Sequence, residues 1–128
     1  MNTRALLAAC GLSLLAAAAQ AQPVMHNGVL ADKTGRTLYI FDKDAPNKSN
    51  CSGGCLAAWP AFTAKADAAA TGEFGLISDT RQWTVNGKPL YYFAGDTKPG
   101  ERNGDGSGGV WHVISSKPLV PSSFNPVY

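Results

Sequence analysis

The chain has 128 residues and a formal net charge of +2 at pH 7, with basic and acidic residues interspersed along its length. This length allows one domain at most, and the lack of a basic stripe or an acidic block argues against nucleic-acid binding. Fourteen glycines and eight prolines favour many turns over long helices, and the strand-like segments described below predict an all-β fold.

The first 21 residues are typical of a secretory signal peptide. Arg4 is their only charge, an apolar stretch follows over residues 5–19, and Ala19-Gln20-Ala21 has the pattern of a cleavage site. The apolar stretch is shorter than the roughly 20 residues that span a bilayer. We therefore predict a signal peptide over residues 1–21, a single domain over residues 22–128, no membrane span, and a location in the periplasm or outside the cell.

Cys10 leaves an alternative route of processing. The sequence Leu7-Ala8-Ala9-Cys10 matches the pattern before a lipidated cysteine in bacterial lipoproteins. Only a few apolar residues separate Arg4 from Cys10, whereas the apolar core of a signal peptide usually has about 7–15. We therefore expect Cys10 to lie inside the signal core, with a lipid-anchored envelope lipoprotein as the alternative.

The first two strands of the domain are predicted on either side of one turn. Residues 28–31 read as a strand, residues 33–35 as a turn, and residues 37–41 as a second strand. In the second strand Tyr39 and Phe41 point to one face, while the residues between and before them point to the other. A strand that is apolar on both faces is expected to be central and covered on both sides.

Two cysteines follow in a glycine-rich loop. Cys51 and Cys55 are four positions apart, and in an exported protein this spacing predicts a disulfide bond that staples the loop. A redox-active pair and a metal site remain as alternatives, although the thioredoxin spacing is different and zinc would require more ligands. Directly after the pair, a single helical turn is predicted near Leu56, and Pro60 ends it.

The clearest strand prediction lies further along the chain. Residues 82–85 and 88–93 are strand-like runs separated by Asn86-Gly87, and this dipeptide is the strongest short signal for a β-hairpin. Glu101, Asn103 and Asp105 then imitate the start of a calcium loop, but His112 stands where such a loop needs its glutamate. A last strand is predicted to begin at Trp111.

The domain is predicted to contain two degenerate copies of one unit. When the sequence is shifted against itself by 52 positions, residues 35–41 fall on residues 87–93 without a gap. Asp44 falls on Asp96 and Trp59 on Trp111 at the same offset. We therefore predict two hairpin-plus-strand repeats, at about 24–76 and 77–128, which pack with pseudo-two-fold symmetry.

The residues shared by the two copies are predicted to be mainly structural, with ligand binding as the alternative. The aromatic side chains fit a buried core, and each shared aspartate comes where a strand must turn. There its carboxylate is expected to accept hydrogen bonds from backbone N–H groups just ahead, in residues 45–47 and 97–100. The shared motif residues are Tyr39, Phe41, Asp44 and Trp59 in the first copy, and Tyr91, Phe93, Asp96 and Trp111 in the second.

The motif Tyr-x-Phe-x-x-Asp, present at Tyr39 and again at Tyr91, resembles a family of bacterial secreted-repeat proteins. These are predicted lipoproteins with a conserved Yx(F/W/Y)xxD motif. The resemblance extends to Cys-x-x-x-Cys-x-x-x-Trp-Pro at residues 51–60, to Gly-x-Pro-Leu-Tyr at residues 87–91, and to the glycine-rich run before Trp111. It implies relatives and an envelope location, but no biochemical activity, because the family has none established.

No catalytic motif is recognisable, so the sequence does not predict an enzyme or a cofactor. We expect a non-catalytic binding or interaction module of the cell envelope, whose partner is an unidentified envelope protein or small ligand. The alternative is an accessory protein in envelope redox or copper handling. That role would use Cys51 and Cys55, or Met25, His26 and His112, because copper accepts imidazole together with sulfur ligands.

Overall fold

A computed structural model of the chain describes residues 22–65 and 68–115. The predicted signal peptide, Cys10 and residues 116–128 lie outside the described residues.

The described residues confirm the prediction of an all-β fold, because they form short strands in small antiparallel sheets together with short helical segments. Residues 54–58 form α1, and residues 107–109 form a turn of 3-10 helix. The strands are β1 (Val24–His26), β2 (Val29–Ala31), β3 (Tyr39–Phe41), β4 (Phe74–Leu76), β5 (Trp83–Val85), β6 (Lys88–Pro89) and β7 (Trp111–Val113).

The predicted hairpin around Asn86 and Gly87 is confirmed. Both turn residues have positive φ angles, 49° and 80°, and β5 pairs with β6 across them. On its other edge β5 pairs with β4, which makes a three-stranded sheet. Because asparagine and glycine tolerate positive φ better than other residues, the tight turn follows directly from this dipeptide.

The first repeat contains a hairpin that the sequence prediction missed. β1 and β2 pair across Asn27 and Gly28, which have φ angles of 51° and 86°. The predicted turn over residues 33–35 lies after β2, where the amide of Gly35 donates to the carbonyl of Asp32. The same Asn-Gly signal therefore forms a hairpin in both repeats, although at different positions within them.

The gap-free match between the repeats does not extend to the strands that precede the turns at Gly35 and Gly87. The amide of Leu38 donates to the carbonyl of Leu30, eight residues earlier, whereas the amide of Leu90 donates to Trp83, seven residues earlier. The longer turn after Asp32 accounts for the difference, since it holds one more residue than the turn at Asn86. Trp83 therefore stands at the place of Leu30, and the single offset of 52 is wrong for the strand before each turn.

The two repeats are joined at their motif strands. The amide of Tyr39 donates to the carbonyl of Tyr91 over 2.8 Å, and the amide of Tyr91 donates back to the carbonyl of Tyr39 over 3.0 Å. This reciprocal pair lies where a pseudo-two-fold axis relates equivalent residues. The predicted symmetric packing of two repeats is therefore visible in the backbone hydrogen bonds.

Each motif strand also pairs with the tryptophan segment of the other repeat. β3 pairs with β7, and Tyr39 faces Val113. Equivalently, Tyr91 bridges to Ala61 in the segment that follows Trp59. The repeats thus exchange their last segments, and the backbone of each repeat is completed by the other.

Both faces of the motif strands are covered, as their apolar pattern predicts. Leu38 and Leu90 belong to one hydrophobic cluster, which also contains Trp83. Tyr39 and Tyr91 belong to a second cluster on the opposite face, together with both remaining tryptophans and Cys51. The alternation of side chains along the two strands therefore separates the apolar residues into two cores.

A short helical segment precedes the tryptophan of each repeat. The predicted turn near Leu56 is confirmed as α1, and the 3-10 helix over residues 107–109 occupies the equivalent place before Trp111. Neither segment is long, and nowhere in residues 22–65 and 68–115 is there a helix with the length and apolarity that a bilayer crossing requires.

Candidate functional site

The tyrosine of each motif is hydrogen-bonded to the aspartate of the other. The hydroxyl of Tyr39 donates to a carboxylate oxygen of Asp96 over 2.6 Å, and the hydroxyl of Tyr91 donates to Asp44 over 2.7 Å. Each tyrosine and its aspartate belong to different repeats, so the pairs cross the pseudo-two-fold axis in opposite directions. The Tyr-x-Phe-x-x-Asp motif therefore links the repeats through two equivalent hydrogen bonds, of which the Tyr39–Asp96 bond is buried and the Tyr91–Asp44 bond is partly buried.

The backbone partners of the two aspartates differ from those predicted. The amide of Asn50 donates to Asp44, and the amide of Asn103 donates to Asp96, over 2.6 and 2.9 Å. These donors lie six and seven residues ahead, beyond residues 45–47 and 97–100. Each carboxylate is directed toward a tyrosine of the other repeat. It therefore accepts from an amide in the later part of its own loop and not from the turn directly after the aspartate.

The phenylalanine and tryptophan side chains of the motif pack in a continuous series across the axis. The rings of Trp59 and Trp111 lie parallel at its centre, with centroids 3.9 Å apart and an interplanar angle of 2°. Phe41 stacks on Trp111 with centroids 4.2 Å apart, and Phe93 lies against Trp59 at 4.5 Å. Each phenylalanine thus packs on the tryptophan of the other repeat, which adds close aromatic contacts to the burial of apolar area.

Burial controls the electrostatics of the tyrosine–aspartate pairs. Tyr39 and Tyr91 have no exposed surface, and burial raises the pKa of both hydroxyls far above the ordinary value. Burial also raises the pKa of Asp44, although its hydrogen bonds with Asn50 and Tyr91 act in the opposite direction. The pairs are therefore built to keep the tyrosines protonated as donors.

The predicted disulfide bond between Cys51 and Cys55 is present, with the two Cα atoms 5.3 Å apart. Cys51 is buried in the cluster that contains the tryptophan stack, and Cys55 packs against that cluster. The bond therefore closes the loop directly beside the centre of the pseudo-symmetric core.

The residues considered for copper lie in two different strands. Met25 and His26 are neighbours in β1, so their side chains point to opposite faces, and Met25 is exposed. His112 lies in β7 and contacts Asp42 through its Nε2 atom at 2.8 Å. In the part of the chain that the structure describes, no group of three or more His, Cys, Asp or Glu residues could hold a metal ion.

The acidic side chains of the calcium-like run serve the backbone. Glu101 accepts hydrogen bonds from the amides of Thr97 and Lys98, and Asp105 accepts one from the amide of Val113. Their carboxylates therefore close turns within the second repeat.

Two surface cavities lie at equivalent positions of the two repeats. We name them the Arg36 cavity, with a volume of about 250 Å³, and the Lys88 cavity, with a volume of about 160 Å³. Each lies between the turn before the motif strand of one repeat, at Gly35 or Gly87, and the loop after the motif aspartate of the other. The Arg36 cavity is lined by Thr34, Arg36, Asp96, Thr97, Lys98 and Pro99, and the Lys88 cavity by residues that include Asn86, Lys88, Asp44, Ala45 and Pro46.

Five of the six residues that line the Arg36 cavity have an equivalent in the lining of the Lys88 cavity at the offset of 52 positions, but the charges of the two linings differ. Arg36 is equivalent to Lys88, and Lys98 is equivalent to Pro46, so the Arg36 cavity has a second cation where the Lys88 cavity has a proline. In addition, Asp42 lines the Lys88 cavity. Arg36 and Lys88 were not predicted as site residues, although each is a basic residue directly after a shared glycine, Gly35 or Gly87.

Comparison with known sequences supports the resemblance that the motif suggested. The profile of a family described as a secreted repeat of unknown function matches residues 26–63 and again residues 79–115. No curated protein and no solved structure matches the chain.

Proposed function

Because the chain belongs to the family described as a secreted repeat of unknown function, we propose that it is a non-catalytic binding module of the bacterial cell envelope. It is exported through the signal peptide at residues 1–21 and acts in the periplasm or outside the cell. Its ligand is held at the seam between the two repeats, by which we mean the surface that contains the Arg36 cavity and the Lys88 cavity. The observation that carries this proposal is the pair of cavities at equivalent positions along that seam.

The motif residues support the proposal by the work they already do. The hydroxyls of Tyr39 and Tyr91 are bonded to the two motif aspartates, and the two tryptophans cover each other. A buried polar group that has its partner is satisfied, and its removal leaves the other group unpaired. We therefore assign the motif residues to holding the two repeats together, and we place the ligand-binding surface outside the motif.

The seam meets the requirements of a binding surface on a rigid scaffold. Each cavity is bounded by a hairpin turn whose carbonyl accepts a hydrogen bond from the facing loop: Gly35 from the amide of Gly100, and Gly87 from the amide of Asn47. Loops that a rigid scaffold holds in place are common positions for binding residues. The disulfide bond and the crossed strands supply that rigidity.

An amide chemical-shift screen of the protein purified after export of the full chain tests this function. We expect an oxyanion, a polyamine or a neutral sugar, represented by inorganic phosphate, spermidine and sucrose, to give saturable shifts at a seam cavity. The probe should be recovered chemically unchanged. Turnover of a probe, or saturable binding only at a surface away from both cavities, would contradict the proposal.

A further inference from the structure

The Arg36 side chain is held in a fixed position with an unused donor. Its guanidinium carbon lies 4.1 Å from the centroid of the Tyr92 ring, and the hydroxyl of Tyr92 donates to Asp32 over 2.7 Å. The Nε atom of Arg36 is buried and has no hydrogen-bond partner among the described residues. A buried N–H group without an acceptor costs free energy, so an acceptor that reached this atom after a shift of the groups covering it would be favourable.

The carboxylates around this cavity are occupied by donors from the protein. Asp96 accepts from Tyr39 and from the amide of Asn103, while Glu101 accepts from the amides of the Thr97 turn. Asp32 accepts from Thr34, from Tyr92 and from the amide of Arg36. These hydrogen bonds outweigh burial and lower the pKa of Asp32, so its carboxylate is stabilised as an anion without the guanidinium fork.

Two cations supply hydrogen-bond donors to the lining of the cavity. Arg36 contributes a planar fork, and Lys98 lines the same cavity with a flexible ammonium group. A guanidinium fixed by stacking on an aromatic ring loses little freedom when it binds a carboxylate or a phosphate in bidentate fashion. The ammonium of a lysine adds a point charge that has no geometric requirement.

The size of the cavity limits the ligand. About 250 Å³ is more than one ordered water needs, since roughly 15 Å³ of this kind of volume holds a water molecule. It is also smaller than the pockets of about 300–1,000 Å³ that take drug-sized molecules. The space fits a small group, either as a free ion or at the end of a larger molecule.

We propose that the Arg36 cavity is a binding site for an oxyanion group, with Arg36 as the fork donor and Lys98 as the second cation. This inference rests on the proposed function and names the ligand chemistry of one of its two cavities. Phosphate, sulfate and carboxylate share this chemistry. The equivalent Lys88 cavity lacks the second cation and is lined by Asp42, so it should not bind the same ligands.

The test follows the side-chain Nε–H resonance of Arg36 by NMR in protein produced from the full chain. Inorganic phosphate, glycerol phosphate and acetate are titrated at constant ionic strength with chloride as the balancing anion, because surface electrostatics depend on salt. The first two probes separate a free ion from an esterified phosphate, and the third reports carboxylates. We expect a saturable shift with at least one probe and none with chloride.

Four variants make the test specific. Arg36→Gln should weaken binding by about tenfold or more, since a charged hydrogen bond is lost. Arg36→Lys should restore only part of the affinity, because the fork is absent. Lys98→Gln changes an exposed residue, so it tests the site even if Arg36→Gln lowers stability, and it should weaken binding by about threefold. Lys88→Gln, in the equivalent cavity, should leave binding unchanged.

Absence of a saturable Arg36 shift with all three probes would overturn the inference, and so would an equal loss of affinity in Lys88→Gln. In either case, saturable shifts from spermidine or sucrose at a seam cavity would still support the proposed binding function. The two proposals can therefore fail separately.

Discussion

The interior of the two repeats is closely symmetric, whereas their outer turns have diverged. At the centre, the stacked tryptophans and the crossed tyrosine–aspartate pairs occur as equivalent partners on both sides of the axis. At the surface, Arg36 and Lys98 in one cavity correspond to Lys88 and Pro46 in the other. The symmetry is therefore maintained in the buried contacts by which one repeat completes the other, and is lost among the surface residues that line the two cavities.

The crossed pairing also implies that neither repeat is a stable unit. A separate repeat would leave its motif strand without the tryptophan segment that pairs with it, and its aspartate without the tyrosine donor. Small sheets of two or three short strands are marginal in water, and chains of this size bury too little surface. The two repeats are therefore expected to unfold together in one cooperative transition.

The largest test of the symmetric interior is removal of one tryptophan from the stack. Trp59 and Trp111 are 6% and 5% exposed, so Trp59→Ala and Trp111→Ala should each lower the free energy of unfolding by about 3–5 kcal/mol. Urea denaturation measures both values, and Val24→Ala at an exposed position serves as the control. A cost confined to one tryptophan would break the equivalence of the repeats.

The disulfide bond is the strongest asymmetric feature of the core loops. Replacing both Cys51 and Cys55 with serine should lower the free energy of unfolding by about 2 kcal/mol, because the loop is short and its closure entropy is small. The oxidised wild type and the double variant are compared by urea denaturation. Loss of the folded state in the double variant would show that the staple does more than close the loop.

The equivalence of the two loops can be tested by introducing a disulfide bond at the corresponding positions of the second repeat. Asn103 and Ser107 stand at the positions equivalent to Cys51 and Cys55. Asn103→Cys with Ser107→Cys should therefore form a second disulfide bond under oxidising conditions, with a gain in stability of at most about 2 kcal/mol. Intact mass before and after alkylation detects the bond, and the single variant Asn103→Cys is the control. Failure to oxidise would show that the two loops are not equivalent.

The tyrosine–aspartate pairs should differ slightly in strength. Asp96 is 3% exposed, whereas Asp44 is half-buried and has easier access to water. Tyr39→Phe leaves the buried Asp96 without its hydroxyl donor and should cost about 2 kcal/mol, and Tyr91→Phe should cost about 1 kcal/mol. Thermal and urea unfolding of both variants test the order. Equal costs would indicate that burial does not separate the pairs.

The sequence predicted features that depend on neighbouring residues better than contacts between residues that are far apart in the chain. The Asn86-Gly87 hairpin, the Cys51–Cys55 bond and the turn near Leu56 each follow from local chemistry, and the shared motif revealed the two copies. The crossing of Tyr39 to Asp96 could not be read locally, because it joins residues 57 positions apart. The same limit hid the Arg36 cavity, whose lining comes from two distant turns.

The pH dependence of the free energy of unfolding should show a small effect from two half-buried aspartates whose pKa shifts are opposite. Burial raises the pKa of Asp44 above its ordinary value of 3.8, whereas hydrogen bonds that outweigh burial lower that of Asp32 below it. The contribution of Asp44 is therefore fully present below pH 3.8 and is lost as the pH rises through its folded-state pKa. The contribution of Asp32 is present above pH 3.8 and is lost as the pH falls through its folded-state pKa.

These opposite signs can be measured with Asp44→Asn and Asp32→Asn by urea denaturation across the acid range. The stability of the wild type relative to Asp44→Asn should fall as the pH rises above 3.8, and its stability relative to Asp32→Asn should fall as the pH drops below it. Each change should be less than about 1 kcal/mol, because water screens both partly exposed carboxylates. Asp79→Asn, at an exposed position, provides the control. If the stability differences for Asp44→Asn and Asp32→Asn changed in the same direction with pH, the opposite pKa shifts assigned to the two carboxyl groups would be wrong.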